Sequence, residues 1–140
     1  MPRPNWVDDR TILDEFGLWR GLQPTQIKEV GGKSVPSTGA FVTTELSASV
    51  VQETTPDRVI AKGAAHGYDW RLWEFPVTSA RDPGCLVDRD PITEQDDEAK
   101  NDPAHAIVVH AEAPQNPNKR ITPGQAKSMI SNGHWEDEPK

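Results

Sequence analysis

Ile107-Val108-Val109 is the one place in the chain where three β-branched apolar residues stand in a row. They lie within Pro103-Ala-His-Ala-Ile-Val-Val-His-Ala111, between polar, proline-bearing segments on both sides. A run this short, built from side chains that are stiff at χ1, reads as a buried strand hydrogen-bonded on both sides rather than as a helix. Such a strand requires neighbours within a sheet and cover over its faces. The rest of the sequence is therefore read as supplying those two things.

Further strands are the first requirement. Residues 18–22 are rich in β-formers and closed by Gln23-Pro24, which predicts a brief strand with Arg20 carried between large apolar neighbours. Residues 40–44 and 49–52 read as two β segments, with 45–47 turning or bulging between them. In residues 70–79, Trp73, Phe75 and Val77 alternate with Glu74 and Thr78, the period-two pattern of a strand with one packed face. Pro76 cannot donate to a ladder, which places that strand at an edge or a bulge. Residues 85–87 follow the Arg81-Asp-Pro-Gly84 turn as one more short strand.

Cover comes from three helical patterns. The clearest is 121–133, where Thr122 and Gln125 have capping-box spacing, Ile121 can staple onto Ala126, and Asn132-Gly133 stops the helix. Ala126, Met129 and Ile130 make its apolar stripe, and Trp135 beyond it plugs the sheet's margin. Residues 55–63 form a second helix, with Thr55 as cap, Pro56 and Asp57 in the first turn, Val59 and Ile60 buried, and Lys62 and Gly63 at the end. A third, short helix spans 8–16, capped by Asp8 or Asp9 and stopped by Gly17. The Gly31-Gly32 and 34–39 turn signals make 23–39 a loop, and 93–102 is an acidic, solvated loop. Residues 1–9 and 136–140 are expected as flexible tails. The fold class is α+β: a single domain over 1–140, with one mostly antiparallel sheet of four to six strands and two or three short helices packed on it.

Charge narrows the function classes. A net charge of −7 and a pI near 5.0 argue against binding to a phosphate backbone, where a basic stripe supplies most of the affinity. No run approaches the roughly 18 apolar residues of a membrane span, and the first residues lack the apolar segment of a signal peptide. Cys85 is alone, so no internal disulfide forms. A cytoplasmic location and no partnership with membrane or nucleic acid are expected; another protein is the expected partner, and no cofactor is implied.

Leu18-Trp19-Arg20, Pro36-Ser37, Ala40-Phe41, Asp90-Pro91 and Pro103-Ala104-His105-Ala106 occur in that order. The series resembles a group of small bacterial proteins of unassigned activity, which implies a bacterial source and a shared fold but no site residue. A looser resemblance, to the split-sheet ADP-ribosyltransferases, rests on Arg20, the Ser37-Thr38 pair and Glu53. It implies an enzyme that transfers ADP-ribose or cleaves NAD. Arg20 would hold the pyrophosphate, Ser37 would fix the nicotinamide pocket, and Glu53 would stabilise the oxocarbenium-like ribose. Gln52 and Glu53 are adjacent here, whereas the family's pattern has a residue between them.

Two other readings stand beside it. One is a metal-dependent hydrolase using His105 or His110 with Asp88 or Asp90. The two histidines are five apart in a strand and so point to opposite faces, which leaves no ligand pair to start a zinc site. Asp88, Asp90, Glu94 and Asp96 offer oxygen ligands but lack the spacing and central glycine of a calcium loop. The reading that these residues favour is a non-catalytic interaction module, a subunit or inhibitor of a larger assembly, with Trp6, Trp19, Trp70 and Trp135 as candidate contact residues.

Overall fold

The structure, a computed structural model, describes residues 6–137. Its elements are β1 (Gly17–Leu22), β2 (Ile27–Val30), β3 (Lys33–Pro36), β4 (Leu46–Val50), α1 (Pro56–Ala65), β5 (Arg71–Pro76), α2 (Val77–Arg81), β6 (Cys85–Arg89), β7 (His105–His110), α3 (Pro123–Ser131) and β8 (His134–Trp135). Six strands form one sheet in the order β6-β7-β4-β1-β5-β8, every pairing antiparallel, while β2 and β3 form a separate hairpin. The fold is α+β.

The Ile107 to Val109 run lies where its chemistry requires. Strand β7 is bonded on one side to β6 and on the other to β4, and all six of its residues are buried. Alternation sends Ala106 and Val108 to one face, where α2, α3 and Phe41 close a continuous core with Leu18, Leu46, Val50, Phe75 and Met129. Ile107 and Val109 point to the other face and meet Trp6 and Ala113. On that second face α1 covers a separate apolar patch, Val59 against Trp19 and Leu72.

Helix α3 begins with the capping box read from its sequence: Thr122 accepts from Gln125 N, and the Gln125 side chain accepts from Thr122 N. Helix α1 starts at the Thr55 cap as expected but runs on through Gly63 to Ala65. Val59 is buried, whereas Ile60 is 38% exposed; Lys62 and Gly63 take the buried positions instead. Residues 8–16 contain no helix, because the Asp9 carboxylate accepts from both the backbone N–H and the hydroxyl of Thr11 and holds a turn in place of a helical start. Residues 40–44 are not a strand: Thr38–Ala40 is a 3-10 turn and Phe41 drops into the core. Nor is 23–39 simply a loop, since Gly31 and Gly32, both at positive φ, join β2 to β3 as a two-residue hairpin turn. Val77 opens α2 rather than continuing β5.

Residues 6–9 and 136–137, expected to belong to the tails, are held by specific contacts. Trp6 is buried, Asp9 N donates to Val87 O, and Asp8 accepts from Val87 N and from Arg81. Glu136 N donates to Leu72 O and Asp137 pairs with Arg71. The outermost parts of the expected tails, 1–5 and 138–140, lie outside the described residues. Among the described residues no helix is long and apolar enough to cross a membrane.

Candidate functional site

The ladder between β1 and β4 is only two residue pairs long, Leu18 with Val50 and Trp19 with Ser49. Beyond it β1 stays with β5 as far as Leu22, and β4 stays with β7 as far as Leu46, so the sheet parts between them. A cavity of about 350 Å³ opens at this parting. Its walls come from β1 (Arg20, Gly21), β4 (Ser47), α1 (Lys62), the following loop (His66, Tyr68, Trp70) and β7 (His105).

Arg20 spans the gap. Its Nη1 donates to Ser47 O, on β4 just past the end of the ladder, and its Nη2 to Ala40 O, at the end of the Thr38–Ala40 turn, both at 3.2 Å. Nε has no partner, and among the described residues no carboxylate pairs with the group. Burial alone pushes Arg20 down to about 10, which leaves it charged at neutral pH.

Lys62 is treated differently. Its Nζ lies 2.6 Å from Asp102 Oδ2, with both side chains almost wholly buried. Asp102 also accepts from Ser49 Oγ at 2.6 Å and from Ala104 N at 3.1 Å. The acidic loop expected to be solvated thus ends in a buried carboxylate. Ser49 stands between Trp19 and His105 across three neighbouring strands, so this polar seam crosses the second face of the sheet and divides its two apolar patches. His105 Nδ1 bonds Asp90 O at 2.9 Å. Burial, and then the Lys62 charge, lower its pKa and favour neutral imidazole. With Nδ1–H given to a carbonyl, Nε2 carries a lone pair.

The aromatic wall is fixed by two glycines. A Cβ on Gly21 would fall 2.3 Å from the Trp70 ring and one on Gly63 would fall 2.5 Å from it, so only glycine lets the indole lie against both backbones. Tyr68 stacks on Trp70 with centroids 5.8 Å apart, and His66 stacks on Tyr68 at 6.0 Å. Lys62 Nζ is 5.8 Å from the Trp70 centroid.

Of the residues singled out from the sequence, Arg20, Trp70 and His105 line this cavity. Ser37 does not; it precedes the Thr38–Ala40 turn and donates its N–H to Gln26 O. Glu53 lies beyond the far end of β4, where its two oxygens accept from the Arg89 guanidinium. Arg20, Ser37 and Glu53 are therefore not brought to one cavity. Trp6, Trp19 and Trp135 are buried in packing, so of the four candidate tryptophans only Trp70 lines this opening. Asp88 is buried and accepts from Val7 N, His110 faces away from His105, and among the described residues no three His, Cys, Asp or Glu side chains are grouped to hold a metal ion. Lys62, Asp102, Ser49 and Tyr68 were missed. The available signal was that Lys62 lies three residues after Val59, on the buried face of α1.

Compared with family models, curated proteins and solved structures, the chain finds no match.

Proposed function

We propose that the protein is a non-catalytic binding module and that the cleft between β1 and β4 is where it engages a partner protein. One observation carries the reading: an exposed Tyr68, a half-buried Trp70 and a half-buried arginine that has no counter-ion among the described residues converge on one opening. Trp, Tyr and Arg are the residue types in which binding energy concentrates, because they offer large area at low entropic cost together with directional donors. The net charge of −7 over the whole chain adds discrimination against strongly acidic partners. Chemical cross-linking in lysate of the source cell tests this, comparing wild type with Tyr68→Ala. A discrete cross-linked species that is reduced about tenfold or more in the variant is expected. Recovery of monomer alone from wild type removes the reading.

A further inference from the structure

Four other arginines are answered with carboxylates, while Arg58 and Arg120 are exposed to solvent. Arg10 faces Asp8 and Asp14, Arg71 faces Asp137, Arg81 faces Asp8 and Asp14, and Arg89 faces Glu53 and Asp9. Lys62 has Asp102. Arg20 alone in this set has only two backbone carbonyls, although acidic residues outnumber basic ones 22 to 15. Arg20 is half-buried with its Nε out of reach of solvent, and a charge held there without a counter-ion is offset only in part by a pair of carbonyl dipoles.

Donors dominate the unused capacity around it, with the His105 Nε2 lone pair as the acceptor at the cleft wall. A guanidinium has five N–H groups and Arg20 spends two, so three remain. Trp19 Nε1, on the adjacent residue of β1, is a second buried donor without a partner. A void of about 20 Å³ is lined by Trp19 and shares Arg20, Ser47, Lys62 and Trp70 with the cleft. Gln26 turns its Oε1 to Gln23 N, which leaves its NH₂ as the free end. What is missing is negative charge and acceptor oxygens together.

We infer that the cleft is an oxyanion-binding site in which the Arg20 guanidinium receives a carboxylate or phosphoryl group beside the Lys62 ammonium. This rests on the binding-module reading in that the partner would present the group. The fork geometry of a guanidinium suits either oxyanion, and desolvation at the parting of the sheet strengthens the contact.

Titration of the isotope-labelled full chain with sodium phosphate and, separately, with sodium acetate tests the site. Ionic strength is held constant with chloride, and the Arg20 Nε–Hε and Trp70 indole resonances are followed. Saturable shifts with at least one anion are expected, about tenfold or more weaker in Arg20→Met and unchanged in the exposed control Lys28→Met. Response to phosphate alone assigns a phosphoryl ligand, and response to acetate alone or to both assigns a carboxylate-compatible one. Shifts that grow linearly with either salt, or that persist in Arg20→Met, overturn the inference. Should Arg20→Met not fold, the wild-type Arg20 resonance decides between those results by itself. The two proposals fail separately: a cross-linked complex without anion response leaves the module and removes the oxyanion site, while anion response without a complex does the reverse.

Discussion

Burial and the nearby Lys62 ammonium hold the His105 imidazole below its usual 6.5, so the folded chain keeps it neutral at a pH where the unfolded chain takes up a proton. The sign follows directly. His105 contributes stability that is complete above about pH 6.5 and is lost as pH falls from there through the lowered folded value. Asp8 and Asp9, both lowered from 3.8, add a second loss only in stronger acid. Denaturant midpoints at about pH 7.5 and about pH 5.5 should therefore differ in wild type and differ less in His105→Gln. Equal differences in the two proteins would show that His105 is not responsible. The histidine's burial in a strand was legible from the sequence. Its electrostatic surroundings were not, because Lys62 and Asp102 are 40 residues apart and nothing in either neighbourhood marks them as a pair. Lys62 at the end of a short helix reads equally well as a dipole partner in water.

Where element ends carry their own chemistry, they were readable. Thr55 and Thr122 each cap a helix that begins with proline, and both caps form as spacing predicts. Replacing Thr122 with Ala removes the hydroxyl that accepts from Gln125 N and should lower stability by about 1 kcal/mol, measured by chemical denaturation at neutral pH. No measurable loss would mean that α3 is held by its buried stripe alone. Misread elements fail for physical reasons. Residues 40–44 contain Phe and Val, which are as useful to a core from a turn as from a strand, and the true strand β4 is fixed by its pairing with β7. The β2–β3 hairpin was hidden because its residues are mostly exposed and show no apolar alternation, leaving Gly31-Gly32 as the sole cue.

For the molecule as a whole, the two faces of the sheet are built on different terms. One is a continuous apolar core under α2 and α3; the other is interrupted by the Lys62, Asp102 and Ser49 seam. Removing one charge of a buried pair strands the other, so Lys62→Met should cost about 3–5 kcal/mol. Lys62→Met combined with Asp102→Asn should recover a large part of that loss, since no carboxylate is then left without its cation. A double-mutant cycle by denaturation checks this, and simple additivity would deny the coupling. Strand β8 carries a different implication. His134–Trp135 closes the sheet beside β5, and the Trp135 indole donates to Ser34 O of the β2–β3 hairpin at 2.8 Å. Synthesis runs from β1 toward β8, so the nascent chain can form the β2–β3 hairpin early, yet hairpin and sheet are latched together only after residues 134–135 have emerged.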